Sequence, residues 1–390
     1  MIPVQYNVRS LAVRKATTIA TALGIALVVF VLSSSMMLAA GIRKTLAVAG
    51  RPDTAIVLRK GSEAELGSII DATEIGRILG APAVRRDAQG KPIGAGEVVV
   101  VGAMEKLGAN GITNVTLRGV SADAKELRPE VRVIEGRPAR PGSDEVIVGQ
   151  RIRGRLKGVD LGQSFELRKN RPVHVVGIFE AGGSSYESEI WVDVDTLRAA
   201  FGREGTASSV RVRLTSEDAA AFEAFRAAME SDKAYGYLTL RETSYFEKQS
   251  EGTSIFVSVM GTLISVFFAV GAMIGAMITM YAAVAHRQRE IGTLRALGFS
   301  RTSILSSFLL ESVILAILGG AAGAAASLGM GFVHFSMLNI ASWSEIVFGF
   351  EPTPRIIVTA LLFAGTMGLI GGFLPAVRAA RVSPITAIRE

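Results

Sequence analysis

Between Arg301 and Glu345 the sequence carries one charged side chain, Glu311. It lies about two and a half helical turns inside an apolar segment, counted at ~3.6 residues per turn. An ionised carboxylate at such depth costs at least a few kcal/mol in a bilayer, so it should face other helices rather than lipid. It could be a relay or substrate-contacting group, or a packing carboxylate bonded to Ser, Thr or an interfacial Arg. No second ionisable group follows it in any apolar segment, which favours the packing role. The histidines His174, His286 and His334 show no metal-ligand spacing, and with no cysteine in the chain there is no thiolate ligand or nucleophile. No G-x-S-x-G motif accompanies the serines, which argues against a hydrolytic triad. The phosphate-cradling pattern G-x-x-x-x-G-K-[ST] also fails. The only Gly-Lys pair, Gly90-Lys91, is followed by Pro92 and has Arg85 where the first glycine should stand. An ABC-type signature sequence is likewise missing, so any ATP-Mg chemistry is expected in a separate chain, and no cofactor is expected in this one.

The stretch at 286–301 is the most informative. Its spacing predicts a short amphipathic helix with Ile291, Leu294 and Leu297 on one face and the charged Arg289, Glu290 and Arg295 on the other. Gly298 stands where a C-terminal glycine cap would.

These residues must be held by elements whose nature the composition bounds. The chain has 390 residues, 49% hydrophobic, with 20% charged residues and a mean hydropathy of +0.39. It is too apolar for an ordinary soluble protein and too charged for membrane spans alone. Residues 41–252 hold 31 basic and 30 acidic side chains, whereas the rest holds 11 basic and 5 acidic. The overall charge of +7 is therefore concentrated beside apolar segments, as membrane-flank charge rather than a nucleic-acid face.

Four transmembrane helices are expected, at 17–40, 254–285, 302–335 and 355–377. The first, 24 uncharged residues, reaches about 36 Å as a helix, enough for a hydrocarbon core of about 30 Å. It is longer than the roughly 7–15 residues of a signal-peptide core. The second is longer than a bilayer requires and should continue outside as a stalk. GxxxG spacing occurs at Gly271/Gly275, Gly319/Gly323 and Gly368/Gly372, where helix backbones could approach closely. Basic residues in short loops stay cytoplasmic. Arg9, Arg14 and Lys15 precede the first span, Arg287, Arg289, Arg295 and Arg301 fill 286–301, and Arg378, Arg381 and Arg389 follow the fourth. The loop 336–354 has Glu345 and Glu351 and no Lys or Arg. Both termini are thus expected inside, with an N-terminal helix at 1–16, a tail at 378–390, and 41–253 extracytoplasmic. Arg43, Lys44 and Arg51 oppose this only weakly, since long domains translocate largely regardless of charge.

The inserted segment reads as α/β. Strands are expected at 55–58, 98–101, 114–117, 131–134, 145–148, 165–167, 173–179, 190–192, 210–214 and 237–240. Helical spacing occurs at 62–79, with Ser62 and Glu65 resembling a capping box, and at 217–229. Residues 243–253 should lead helically into the second span. The segment could be one domain or two lobes, with 137–142 a candidate crossing point.

The run REIGTLRALG at 289–298, followed by a polar pair and an apolar helix with Glu311 and Gly319-Gly320, resembles the FtsX-like permease region of the MacB/FtsX superfamily of ABC transporters. The ending PAVRAARVSPITAIR at 375–389 is similar to that family's, as are NVR at 7–9 and GIA at 24–26. In the inserted segment EGR (135–137), DEVIVG (144–149), LG (161–162) and VVGIF (175–179) look like the family's periplasmic core domain. The resemblance runs end to end and is specific for superfamily, not for substrate.

It implies a dimeric, type VII ABC transporter-like permease of the inner membrane, made with a second copy or a paralogue. Two cytoplasmic ABC ATPase subunits would dock on the segment at 289–298, which matches the family's coupling helix (Arg289, Glu290, Ile291, Leu294, Arg295, Leu297, Gly298). Some relatives carry the ATPase at the N-terminus of the same chain; here 16 residues precede the first span, so a separate ATPase is expected. The resulting expectation is mechanotransmission for export through a periplasmic adaptor, with lipid as the remaining partner and no nucleic acid. Lipoprotein release and FtsX-type regulation of a peptidoglycan hydrolase are the alternatives, the second less suited to so large an outer domain.

Overall fold

The computed structural model describes residues 15–108, 110–231, 235–339 and 342–382. The expected N-terminal helix at 1–16 falls almost wholly outside the described residues, as does the tail beyond 382. The chain divides into a helical unit (1–41, 254–333 and 350–390) and a sheet unit (42–253 and 334–349).

Four long helices are apolar and long enough to cross a membrane: α1 (Lys15–Ala47), α6 (Glu242–His286), α8 (Arg301–Leu328, continued by a 3-10 turn at Gly329–Phe332) and α9 (Pro354–Ala380). Between α6 and α8 lies the nine-residue α7 (Gln288–Ala296). Helix starts follow their sequences: Ser300 accepts a hydrogen bond from the Ser303 N–H before α8, and Thr353 accepts one from Ile356 before α9, whose first position is Pro354. Helix α6, at 45 residues, would measure about 67 Å at ~1.5 Å per residue, more than twice a bilayer core of about 30 Å.

Inside the helical unit Ile25, Val28 and Val29 of α1 meet Ala269 of α6, Ala316 and Ala324 of α8, and Ala360, Ala364 and Met367 of α9. The small residues set the spacing. A Cβ on Gly319 would lie 2.6 Å from the Ala22 carbonyl oxygen, and one on Gly323 would collide with the Ala26 backbone. One on Gly368 would lie 2.6 Å from the Ala316 Cβ and one on Gly372 2.5 Å from the Ser312 Cβ. Two of the three GxxxG pairs therefore permit close helix contact. Gly271 and Gly275 make no such contact with the described residues of this chain, since nothing lies within 4 Å of where a Cβ would stand on either.

The sheet unit is built on a ten-stranded sheet in the order β12-β1-β11-β3-β4-β9-β6-β8-β5, with β7 also paired to β8. The strands are β1 (Thr54–Arg59), β3 (Gly94–Glu105), β4 (Ile112–Val120), β5 (Arg132–Gly136), β6 (Glu145–Gly149), β7 (Ser164–Arg168), β8 (Arg171–Glu180), β9 (Glu189–Asp193), β11 (Ser209–Arg213) and β12 (Tyr237–Arg241); β2 (Ile70–Asp71) and β10 (Thr206–Ala207) form a separate pair. All ten strands expected from sequence fall on strands of this sheet. Helices α2 (Ala72–Leu79), α3 (Ala124–Leu127), α4 (Val194–Phe201) and α5 (Ala219–Glu230) complete the unit.

Two apolar cores lie along the sheet. One joins β3, β4, β6, β8 and β9 to α4; the other joins β1, β11 and β12 to α2 and α5. Residues 137–142 are not the crossing between them, because they link β5 to β6 within one half. The continuous sheet, through the pairing of β11 with β3, carries the connection.

Two further expectations are corrected. Residues 62–79 form a helix only from Ala72, with the capping box made by Asp71 and Glu74. Ser62 instead donates to the Gly67 carbonyl, and Glu65 turns inward in a 3-10 turn. The third span, expected to 335, ends as helix before Val333, and the expected loop 336–354 contains a hairpin, β13 (His334–Asn339) with β14 (Ser344–Gly349). A short apolar run does not by itself distinguish strand from helix.

Candidate functional site

Helix α7 ends in a Schellman arrangement. Gly298 adopts φ +94°, its N–H donates to the Arg295 carbonyl at 3.1 Å, and the Phe299 N–H reaches back to the Leu294 carbonyl at 3.2 Å. The expected apolar face is not offered as a unit. Ile291 is 1% exposed and, with half-buried Leu294, packs against Met280, Val284, Ile304, Phe308 and Ala376. Leu297 is 72% exposed. Arg295 is half-buried and donates to the Phe299 carbonyl at 3.0 Å. The exposed stripe is Arg289, Thr293, Ala296 and Leu297, spaced i, i+4, i+7, i+8 on one face.

Glu311 is buried, as its place in an apolar helix requires, and accepts a hydrogen bond from Arg287 Nη1 at 3.1 Å. Arg287 also donates through Nε to Glu290 at 3.1 Å and lies 5.2 Å from the Phe308 ring centroid. The pair ties Arg287, the residue before α7, to Glu311 of α8, the kind of partner expected for a packing carboxylate. Sequence reasoning counted Arg287 only as a loop charge; its place directly before the amphipathic helix was the available signal.

In the sheet unit the structure reveals an ionic cluster that the sequence did not disclose. Arg118, Arg128 and Arg211 interleave with Glu65, Glu97, Glu189 and Glu242, all buried. Arg128 holds Glu97 with two bonds of 2.6 and 2.9 Å, and Arg211 Nη1 reaches the same carboxylate at 2.7 Å. Arg118 binds Glu189 at 2.7 and 2.8 Å and Glu65 at 3.0 Å. Arg211 Nε reaches Glu242 Oε1 at 2.8 Å, and the Arg51 backbone N–H donates to Glu242 Oε2 at 3.2 Å. Burial pushes the Glu97 carboxyl up, but Arg128, Arg211 and Arg118 outweigh it and hold it down to about 2. Glu65 is likewise held well below the carboxylate range by Arg118 and Arg211 against its burial. Burial, with Glu242 nearby, pushes the Tyr186 hydroxyl upward.

Glu242 is the first residue of α6, and Arg51 follows α1 closely. A Cβ on Gly50 would lie 2.8 Å from the Thr243 Cα. The two ends of the 42–253 segment therefore meet at one point, held by buried charge. Tyr245 OH accepts from the Glu65 N–H at 3.2 Å, and Phe246 meets Tyr186 edge-on at 5.8 Å, fixing the next turn of α6.

The β13–β14 hairpin is fastened to the same unit. Thr116 Oγ1 donates to Ser344 Oγ at 2.7 Å, Lys106 pairs with Glu345 at 2.9 Å, Thr113 donates to Glu345, and Arg151 donates to the Val347 carbonyl at 2.7 Å. Burial acts to raise the Glu345 carboxyl, but Ser336, Thr113 and Lys106 lower it. Among the described residues no three His, Asp or Glu side chains converge as a metal site would need.

The family model of the MacB-like periplasmic core domain matches residues 17–231, and that of the FtsX-like permease C-terminal region matches 262–384. The chain belongs to the MacB/FtsX family of ABC transporter permeases. Among its relatives are an uncharacterized ABC transporter permease, YknZ, of Bacillus subtilis (30% identical over 227 residues, 56% of this chain and 54% of the relative) and a macrolide export ATP-binding/permease protein, MacB, of Burkholderia lata (32% over 278 residues, 69% and 38%). The chain thus spans about half or less of these relatives' length. Solved structures similar to it are the extracellular domain of YknZ (TM-score 0.34, 19% identity, covering 48% of this chain and 99% of that one) and the periplasmic region of MacB from Actinobacillus actinomycetemcomitans (TM-score 0.36, 10% identity, 52% and 94%). The family models that match this permease cover membrane and core-domain regions, and neither is an ATPase.

Proposed function

We propose that this permease is the transmembrane half of an ATP-driven machine that passes motion from a separate cytoplasmic ABC ATPase to its sheet unit, for export through a periplasmic adaptor. In this reading two permease chains pair in the inner membrane, both termini face the cytoplasm, and the sheet unit stands outside. The observation that carries it is α6, one unbroken helix of 45 residues whose first residue, Glu242, is locked into the buried ionic cluster. A helix that long and that firmly rooted can transmit a push at its far end. Helix α7, tied to α8 by Arg287 and Glu311, is the element on which the ATPase would act, through Arg289, Thr293, Ala296 and Leu297. ATP-Mg would be bound and hydrolysed in the partner.

The test is co-purification of the ATPase and its stimulated activity in nanodiscs. Leu297→Asp, at an exposed position, should abolish both while leaving the thermal midpoint unchanged. Ile291→Asp should instead lower the midpoint, because it places a charge in the core of the helical unit. Unchanged ATPase association and stimulation in Leu297→Asp would overturn the assignment of α7. Labelling of an engineered cysteine at Ala296 from outside sealed cells would overturn the orientation.

A further inference from the structure

A groove of about 700 Å³ opens on one side of the sheet unit, within the ~300–1,000 Å³ typical of small-molecule clefts. Its floor is Ile147 and Trp191, paired across β6 and β9. Their strand neighbours Val146, Val148, Ile190 and Val192 point into the core on the other face. One wall comes from the segment around α3, the other from Val133 of the edge strand β5 and the turn after it.

Three features define what the groove could hold. First, Pro129, Pro138 and Pro141 line it, and none of the three can donate a backbone N–H to a bound chain. An extended peptide relies on main-chain partners along its length; an apolar chain needs none. Second, four charged residues line the groove, and three of them, Lys125, Arg132 and Arg140, are positive against Asp193. Arg132 pairs with Glu180 at 2.8 Å while remaining 75% exposed, and Lys125 has no ion pair among the described residues. Third, Ser121 lines the groove, and its Oγ is buried without a hydrogen-bond partner. Buried polar atoms in folded proteins are rarely left in that condition.

We propose that this groove binds a small amphipathic anion, with its apolar body over Ile147 and Trp191, its acidic head near Lys125 and Arg140, and a polar atom against Ser121. The site lies wholly in the sheet unit, so it does not depend on the ATP-coupling reading. It gives that unit a ligand of its own.

Trp191 reports on the site, because Trp343 is the only other tryptophan. Full-length Trp343→Phe protein in nanodiscs would be titrated with 12-bromododecanoic acid and, separately, with the neutral 12-bromododecanol. The expected result is saturable quenching of Trp191 by the acid, weakened about tenfold by Lys125→Ala with Arg140→Ala, with the alcohol weaker and insensitive to those changes. Ala139→Phe, which fills the groove from its lip without adding a tryptophan, should abolish the quenching. Equal binding of acid and alcohol would overturn the anion assignment, and absence of saturable quenching would overturn the site. Displacement of the acid by an acidic extended peptide at lower concentration would reassign the groove to a protein segment and overturn the amphiphile. The exposed lysine and arginine changes keep the comparison valid if the Ala139 variant folds poorly.

Discussion

Arg287 Nη1 lies 3.1 Å from Glu311 Oε2, and both side chains are buried. Removing one member of a buried pair strands the other charge, at a cost of about 3–5 kcal/mol, whereas replacing both with apolar residues can be nearly neutral. Glu311→Ala should therefore lower the thermal midpoint in nanodiscs and weaken ATPase stimulation. Arg287→Met combined with Glu311→Leu should recover the midpoint. Recovery of stability without recovery of stimulation would mark the pair as part of the coupling route. A midpoint unaffected by Glu311→Ala would show that the pair does not hold α7 to α8.

The sequence disclosed a good deal of this architecture, for reasons that are local. Strands such as Val173 to Phe179 announce themselves by β-branched runs, and Gly298 by its place after an amphipathic turn. The ionic cluster was hidden because it is assembled from distant segments. Arg211 alternates with Val210 and Val212, so it reads as solvent-facing. It is buried because the second face of the sheet is covered by the 3-10 turn at Glu65 and the start of α6. The inward turn of Leu294 was hidden in the same way: amphipathicity shows that a face is apolar, not whether the chain itself already covers it.

The ionic cluster makes the sheet unit acid-sensitive. Glu97 falls from an ordinary 4.5 to about 2 in the folded protein, so the unfolded chain takes up its proton first as pH drops. Its stabilising effect, roughly 3 kcal/mol for a shift of that size, is fully present above about pH 4.5 and is lost as pH falls towards 2. Thermal midpoints should be flat from pH 7 to 5 and decline below that, measured by circular dichroism of the β signal. Glu97→Gln should lower the midpoint at pH 7, because Arg128 and Arg211 lose their counter-charge, and should flatten the decline. An equally steep decline in that variant would remove Glu97 as its source.

The glycine pairs separate close helix contact from mere composition. Gly323→Leu must drive a side chain into the Ala26 backbone, while Gly275→Leu meets nothing within 4 Å. The first should lower yield of folded protein and its thermal midpoint markedly; the second should leave the midpoint of the isolated chain within a few degrees. If Gly275→Leu instead abolished pairing of two permease chains in crosslinking while preserving the midpoint, that face of α6 would be where a second copy packs.

The hairpin between α8 and α9 should be capturable where it sits. Thr116 Oγ1 and Ser344 Oγ are 2.7 Å apart and buried, 228 residues apart in sequence, and the chain has no cysteine to interfere. Thr116→Cys with Ser344→Cys should form a disulfide under mild oxidation, identified by mass spectrometry of the linked peptides, with no bond formed from either single variant. By loop-closure entropy such a link could stabilise by up to about 5 kcal/mol, so the oxidised protein should melt later than the reduced. Failure to link would mean that β14 leaves β4 readily. If it links and ATPase stimulation survives oxidation, the hairpin moves with the sheet unit during turnover; if stimulation is lost and returns on reduction, the hairpin must separate from β4 in each cycle.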